Sequence, residues 1–348
     1  MFRRRQVLLG AAALAGCRRA ASAPTMPAMR PVDPSRVPLR IAFGSCNHEY
    51  APQTHYDAIA AQDPDLWIWL GDNVYGDTSD DRELRDKYAQ VLGAPAYRRF
   101  VDQVPVVGTW DDHDFGQNNA GEEFEARAQN QAAMLDFLGE PADSPRRRQA
   151  GVFASYDLGA APHKVRVILL DGRSHRERPS VTADTLGEDQ WRWLEGQLRH
   201  SDASVHLIGN GYQFLPEDHP NETWAKFPEA RRRLFALIAQ TQAPGVVLLS
   251  GDRHHADISA TQQGPLAYPL HEHTASGLTH ASGLKETNRY RVAEQYSSEN
   301  FGMLELDWER GRVELRTHAI DGKLEVLHGL ELAALGNPWY GADAFDAE

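Results

Sequence analysis

The stretch WDDHD, residues 110–114, places three carboxylates beside one another directly after a short apolar run. Asp111, Asp112 and Asp114 repel one another there, so something in the folded chain must offset the repulsion. A solvated turn would do so, and a bound multivalent cation would do so as well. The rest of the sequence has to decide between these two interpretations.

Further side chains that can bind a metal follow other apolar runs. Cys46 ends LRIAFGSC, Asp72 ends DLWIWLGD with Tyr75 three residues on, and Asp252 and His254 follow GVVLLSG. Carboxylate and phenol oxygens suit Ca²⁺, Mn²⁺ or ferric iron, whereas a thiolate indicates a transition metal at one position. One Gly-Asp alone often marks only a turn, and a free cysteine is often a small buried hydrophobe. The recurrence of these endings is therefore the signal that predicts a metal site.

The elements that must position these residues follow the pattern of an α/β domain. Six strand-like apolar runs alternate with polar helical stretches between residues 39 and 252. Helices are predicted over 122–138, from Gly187 and from Pro228, whereas SGLTHA, FGMLELDW, RVELRTHAI and LEVLHG predict β-structure beyond residue 265. Because functional side chains of open α/β sheets gather beyond the carboxyl ends of the strands, we expect the candidate ligands to converge there.

The N-terminal segment MFRRRQVLLGAAALAGC predicts export. Residues 1–16 resemble a twin-arginine signal through Arg4 and Arg5, and LAGC resembles a lipobox whose Cys17 receives a lipid. An ordinary cleaved signal with an incidental cysteine is the alternative. Residues 17–37 predict a flexible tether, and residues 38–348 predict one folded domain. We therefore expect a lipoprotein anchored in the periplasm or cell envelope.

The charge of the chain restricts its partners. The 348 residues include 36 basic and 49 acidic ones, which gives a net charge of −13. Proteins that bind duplex nucleic acid usually display a basic surface, so we expect no such partner. We expect a monomer whose only membrane contact is the lipid on Cys17. Since the chain has two cysteines, a lipidated Cys17 leaves Cys46 without a disulfide partner.

The ordered motifs GSC, GDNVY, WDDHD, LLDGR, LSGDRH and SGLTH resemble those of PhoD-type alkaline phosphatases, which are calcineurin-like metallophosphoesterases. The resemblance runs from about residue 39 to 307 and implies a four-layer αββα sandwich that holds iron and calcium. Carried over by position, it implies that Fe³⁺ is held by Cys46, Asp72, Tyr75 and His254. It also implies that Asp72 bridges to a second position, where Asp112 and Asp252 bind Ca²⁺, with Mn²⁺ or another divalent ion as the alternative.

The predicted reaction is the hydrolysis of phosphate monoesters, diesters or both, by hydroxide that the metal generates from water. Asp112 and His113 are the predicted catalytic residues, and the resemblance places His113 close to the substrate. Oriented by Asp111 or Asp114, His113 would stabilise or protonate the leaving oxygen. The expected partner is a small phosphate-ester substrate.

Two further residues are candidate substrate contacts. Asn118 could bind phosphate or shape a loop, and Arg173 could bind phosphate or brace Asp171 in a buried ion pair. Four other histidines are predicted not to be ligands, because one imidazole already completes the GDRH motif: His255, His271, His273 and His280.

Two other functions remain open at this stage. One is a surface lipoprotein that holds calcium without catalysis, which Cys46 and Tyr75 disfavour because a calcium binder needs neither a thiol nor a phenol. The other is a carboxylic-ester or lactone hydrolase that uses the same metals. The sequence contains no G-x-S-x-G elbow, so the usual serine route to ester hydrolysis is excluded.

Overall fold

The computed structural model describes residues 29–340. The predicted signal, the lipobox at Cys17 and the tether as far as residue 28 lie outside the described residues. The strands are β1 Arg40–Gly44, β2 Leu66–Leu70, β3 Val106–Thr109, β4 Ala154–Leu158, β5 Val165–Leu169, β6 Val205–Gly209, β7 Val246–Ser250, β8 Ala256–Thr261, β9 Leu270–Ala275, β10 Asn300–Asp307, β11 Arg312–Ala319 and β12 Leu324–Glu331. The α-helices are α1 His55–Ala60, α2 Asp81–Gly93, α3 Pro95–Val101, α4 Asp112–Phe115, α5 Arg127–Phe137, α6 Gly187–Leu198 and α7 Pro228–Thr241.

The strands form two six-stranded sheets. The first has the order β12-β11-β10-β1-β2-β3, in which β1, β2 and β3 run parallel and β10 to β12 are antiparallel. The second has the order β4-β5-β6-β7-β9-β8, in which β5, β6, β7 and β9 run parallel. The parallel strands β2, β6 and β7 are fully buried and mostly apolar, as is expected of strands whose two faces are both covered.

Two hydrophobic clusters show how the layers stack. Ile41 and Phe43 of β1 pack in a cluster with the strands of the second sheet and with α6 and α7. Ala42, which points to the other face of β1, packs in a cluster with α1, α2, α3 and α5. Helices thus cover the outer face of each sheet, and the predicted four-layer αββα architecture is confirmed.

Two local predictions were wrong, and β4 was not predicted. The helix expected over 122–138 begins only at Arg127, because the Glu122 amide donates to the Arg176 carbonyl at 2.9 Å instead of joining a helical turn. SGLTHA forms a loop after β9 that carries one isolated β-bridge, between Gly277 and Asn300. The strand Ala154–Leu158 was missed because it lies at a sheet edge and has no continuous apolar run.

The segment before the first strand contacts the domain. Met29 packs against the cluster of α1, α2, α3 and α5, and Arg36 forms an ion pair with Asp65. Within residues 29–340, no helix is both long and apolar enough to cross a membrane.

Candidate active site

The candidate ligands lie where the parallel strands of both sheets end. Cys46 follows β1, Asp72 follows β2 and Asp112 follows β3, and these three strands are neighbours in the first sheet. Asp252 and His254 follow β7 of the second sheet. The packing of one sheet on the other brings the two sets of strand ends together.

Distances between donor atoms define one continuous cluster. The Sγ atom of Cys46 lies 3.5 Å from Oδ2 of Asp72, and Oη of Tyr75 lies 3.1 Å from Nε2 of His254. Three groups of side chains have ligand atoms that all lie within 4.8 Å of one another: Cys46, Asp72 and His254; Asp72, Asp112 and His113; and Asp72, Asp111, Asp112 and Asp252. Asp72 belongs to all three groups. The structure thus brings together all six residues that the sequence proposes as metal ligands.

The glycines of the two Gly-Asp motifs permit this close approach. A side chain at Gly71 would collide with Asp111, and one at Gly251 would collide with Ser45 and with the carbonyl of Leu70. Glycine is therefore required at these two positions for the strand ends to meet.

The backbone of the cluster is held in an unfavourable conformation. Positive φ angles occur at Cys46 (58°), Asp72 (48°), Asp252 (70°) and His254 (54°). Left-handed backbone at residues other than glycine costs about 1–3 kcal/mol each and persists where the surrounding fold enforces it. Four of the six proposed ligands carry this cost, which indicates that the fold maintains their positions for a function.

The electrostatics of the cluster favour a bound cation. Burial, followed by repulsion from Asp112, raises the pKa of Asp72 well above its usual value. Burial likewise raises the pKa of Asp252 to about 7 and raises that of the Cys46 thiol. The buried Oδ2 atom of Asp111 has no hydrogen-bond partner among the described residues. A multivalent cation would offset these costs, and the oxygen, nitrogen and sulfur donors fit one transition metal beside a harder ion.

His113 is oriented by a carboxylate that the sequence reasoning did not identify. Its Nδ1 atom lies 2.8 and 2.9 Å from the two carboxylate oxygens of Asp77. Asp114 instead accepts the amides of Asp111 at 2.8 Å and Asp72 at 3.2 Å. Because adjacent residues of a helix point in different directions, the prediction that Asp111 or Asp114 orients His113 was wrong.

Arg173 lies behind the cluster. Its side chain has no exposed surface, and its Nε atom donates to Oδ1 of Asp111 at 2.6 Å. The guanidinium also pairs with Glu222. Arg173 contacts Asp171 through its backbone instead, since the amide of Arg173 donates to Oδ1 of Asp171 at 2.9 Å. Arg173 therefore forms buried ion pairs, as one of the two sequence interpretations expected. Its partners are Asp111 and Glu222 rather than Asp171.

The three acids of WDDHD are therefore stabilised in different ways. Asp111 pairs with Arg173, and Asp114 accepts backbone amides. Asp112 accepts the amide of Asn119 at 2.6 Å and faces the other candidate ligands. Asp112 is thus the acid of this motif that is best placed to hold a metal.

Comparison with known proteins agrees with this geometry. A profile of PhoD-like phosphatases matches residues 41–319, which is most of the chain. This chain belongs to the PhoD-like phosphatase family. It is 23% identical over 278 residues to alkaline phosphatase D of Bacillus subtilis (strain 168), a match that covers 64% of this chain and 47% of that relative. The chain thus spans about half the length of this curated relative.

Solved structures resemble the fold as well. The structure of PhoD superposes with a TM-score of 0.71 at 18% identity and covers 87% of this chain and 71% of that one. GAP50, described as the anchor in the inner membrane complex of Plasmodium, gives 0.56 at 14% identity over 84% and 89% of the two chains. A dimetal phosphatase from Danio rerio gives 0.50 at 14% identity over 84% and 99%. These likenesses support a metallophosphoesterase fold.

A cavity of about 760 Å³ opens beside the cluster. His113, Asn118, Asp252 and His254 line it on the side of the cluster. Its other lining residues include four cations and three glutamates: Arg176, Arg178, Lys226, Arg253, Glu123, Glu222 and Glu286. Arg176 pairs with Glu222 and Arg253 pairs with Glu286, so part of the positive charge is balanced within the cavity wall. The volume lies in the range of small-molecule sites.

The sequence reasoning missed one residue of the site and predicted that another is not a ligand. Asp77 ends GDNVYGD only two residues after Tyr75, so its place in that motif was an available signal. His280 lies in SGLTH, and its Nε2 atom is 3.0 Å from Oη of Tyr75. Two of the other histidines predicted not to be ligands bond elsewhere: His273 to Thr317 at 3.0 Å and His271 to the Pro269 carbonyl at 3.2 Å.

Proposed function

We propose that this protein hydrolyses phosphate esters with the help of metal ions held in the cluster around Asp72. The observation that carries the proposal is the meeting of three ligand groups at Asp72 beside a cavity large enough for a small molecule. Membership in the PhoD-like phosphatase family supports it. The substrate class is a small phosphate monoester or diester.

The proposed metals are Fe³⁺ and Ca²⁺. Cys46, Tyr75 and His254 would hold the iron together with Asp72, which would also reach the calcium. Asp112 and Asp252 would complete the calcium position, for which Mn²⁺ or another divalent ion is the alternative. Such metals supply a Lewis acid and lower the pKa of a bound water to roughly 7.

The side chains of the chain itself would do the rest of the chemistry. His113 faces the cavity, where it would give a proton to the leaving oxygen, while Asp77 fixes its ring. Asn118, which is exposed in the same cavity, would contact the phosphate. We assign Arg173 to a positioning role, since its buried guanidinium pairs with Asp111 and with Glu222, and Glu222 lines the cavity.

Localisation forms a separate part of the proposal. We propose that Arg4 and Arg5 direct export by the twin-arginine route and that Cys17 carries a lipid. Residues 17–37 would then link this anchor to a single catalytic domain formed by residues 38–348. The protein would act as a monomer in the periplasm or cell envelope.

The test is metal analysis of the full chain exported by its native route, combined with a panel of phosphomonoesters and phosphodiesters. Asp112→Asn should lower kcat/KM by about 100-fold or more, because it removes a ligand carboxylate. Asp189→Asn is the matched control, since its side chain is 86% exposed on α6. Metal-loaded protein that hydrolyses only carboxylic esters or lactones would contradict the proposal. Calcium binding without hydrolysis would instead indicate the binding lipoprotein.

A further inference from the structure

The loop after β9 carries a fifth candidate for the iron position. Oη of Tyr75 lies 3.1 Å from Nε2 of His254 and 3.0 Å from Nε2 of His280, and the two nitrogens are 3.2 Å apart. The three atoms therefore form a nearly equilateral triangle. Tyr75 and His254 already belong to the proposed iron ligands, so His280 is the addition.

The size of this triangle matches one face of an octahedral site. Metal–ligand bonds of about 2.1 Å give octahedral edges of about 3.0 Å and tetrahedral edges of about 3.4 Å. The observed edges of 3.0 to 3.2 Å lie closer to the octahedral value. One ion can thus contact all three atoms at ordinary bond lengths.

The hydrogen bonds behind His280 fix its tautomer. The hydroxyl of Thr279 donates its single proton to the carbonyl of Cys46 at 3.2 Å. Nδ1 of His280, which lies 3.2 Å from the same hydroxyl oxygen, must therefore be the donor in that contact. A neutral imidazole protonated at Nδ1 leaves the lone pair of Nε2 directed at Tyr75 and His254. Histidine ligands of metals usually donate their other ring N–H to a neighbouring oxygen in this way.

The loop itself is fastened to the segment that carries Cys46. The amide of Leu278 donates to the Ser45 carbonyl at 3.2 Å, and Thr279 Oγ1 accepts the amide of His48 at 2.7 Å. Leu278 is fully buried. His280 is thus held at the cluster by the same segment that positions the thiol.

We propose that His280 is a further ligand of the metal ion that Tyr75 and His254 hold. The support for His280 is therefore its triangle with Tyr75 and His254, since His280 does not belong to the group of Cys46, Asp72 and His254, whose donor atoms are within 4.8 Å of one another. The inference rests on the proposed metal-dependent function.

The test is iron content and iron affinity of the full-length His280→Ala and His280→Gln variants, measured by elemental analysis and by competition with a chelator. We expect both variants to bind iron at least about 10-fold more weakly than the wild type. The visible absorption that ferric iron gives with the phenolate of Tyr75 should also shift. His328→Ala is the matched control, since this histidine lies on β12 at the other edge of the first sheet.

Unfolding of the metal-free proteins separates a ligand from a merely structural residue. A ligand role predicts similar stability of metal-free His280→Ala and metal-free wild type, with a difference that appears only after iron is added. If the variants keep the iron affinity and the absorption band of the wild type, the inference about His280 is wrong. The proposed function would still hold in that case if the wild type hydrolyses phosphate esters. If the variants lose iron but the wild type hydrolyses no phosphate ester, His280 is a metal ligand and the proposed function is wrong.

Discussion

The pair of Asp77 and His113 allows a quantitative test of proton donation to the leaving group. The perturbation is Asp77→Asn, which removes the charge while an amide oxygen can still accept from Nδ1 of His113. The backbone bond from the Asp77 amide to the His113 carbonyl, at 3.0 Å, stays in place. The substitution therefore alters the electrostatics of the ring more than its position.

The exposure of the pair sets the expected magnitude. The side chains of His113 and Asp77 are 20% and 47% exposed, so solvent screens their interaction. Half-exposed ion pairs contribute about 0.5–1 kcal/mol, which corresponds to a change in rate of about two- to fivefold. His113→Ala removes the proton donor itself and should cost about 100-fold or more on esters with poor leaving groups.

The assay is kcat for a series of phosphomonoesters, from p-nitrophenyl through phenyl to methyl phosphate. An ester with a good leaving group needs little protonation, so Asp77→Asn should leave kcat for p-nitrophenyl phosphate nearly unchanged. The two- to fivefold loss should appear on methyl phosphate. An equal loss on all three esters, or a change confined to KM, would refute the assignment of His113 as proton donor and of Asp77 as its orienting residue.

Three other predictions follow from the structure and the sequence. Cys46→Ser should lose iron and most phosphatase activity while the fold survives, whereas full iron and full activity would reassign Cys46 as a small buried hydrophobe. Burial raises the pKa of Asp252 to about 7, so the metal-free protein should lose stability as pH rises from about 4 through 7, by up to about 4 kcal/mol. Urea unfolding at pH 5 and pH 8 tests this loss of stability, and added calcium should reduce it. Equal stability at the two pH values would contradict a raised pKa of Asp252. Replacement of Arg4 and Arg5 by lysine should block export by the twin-arginine route, whereas continued export would indicate another route.

Much of the site was readable from the sequence because its residues are local to strand ends. Apolar runs long enough to be buried predict parallel strands, and parallel strands bring their carboxyl ends to one edge. Cys46, Asp72 and Asp252 each follow such a run within two residues. Their convergence depends only on the strands and their direction, and both are encoded in short stretches of sequence.

The partners of these residues were decided by tertiary structure. Asp77 rather than its neighbours orients His113, and Arg173 braces Asp111 and Glu222 rather than Asp171. Each of these choices depends on which way a side chain points and on which segment packs beside it, and neither is set by spacing along the chain.

His280 shows the same limit most clearly. Its motif follows a strand as the other ligand motifs do, yet SGLTHA has an alternating pattern that predicts another strand. In the structure the segment is a loop, because Leu278 is buried and its amide bonds to Ser45 on a different sheet. The sequence by itself determined which residue types gather at the edge of the sheets. Only the packing of the two sheets decided which of their atoms come within reach of one ion, since a contact such as that between Tyr75 and His280 joins residues 205 positions apart.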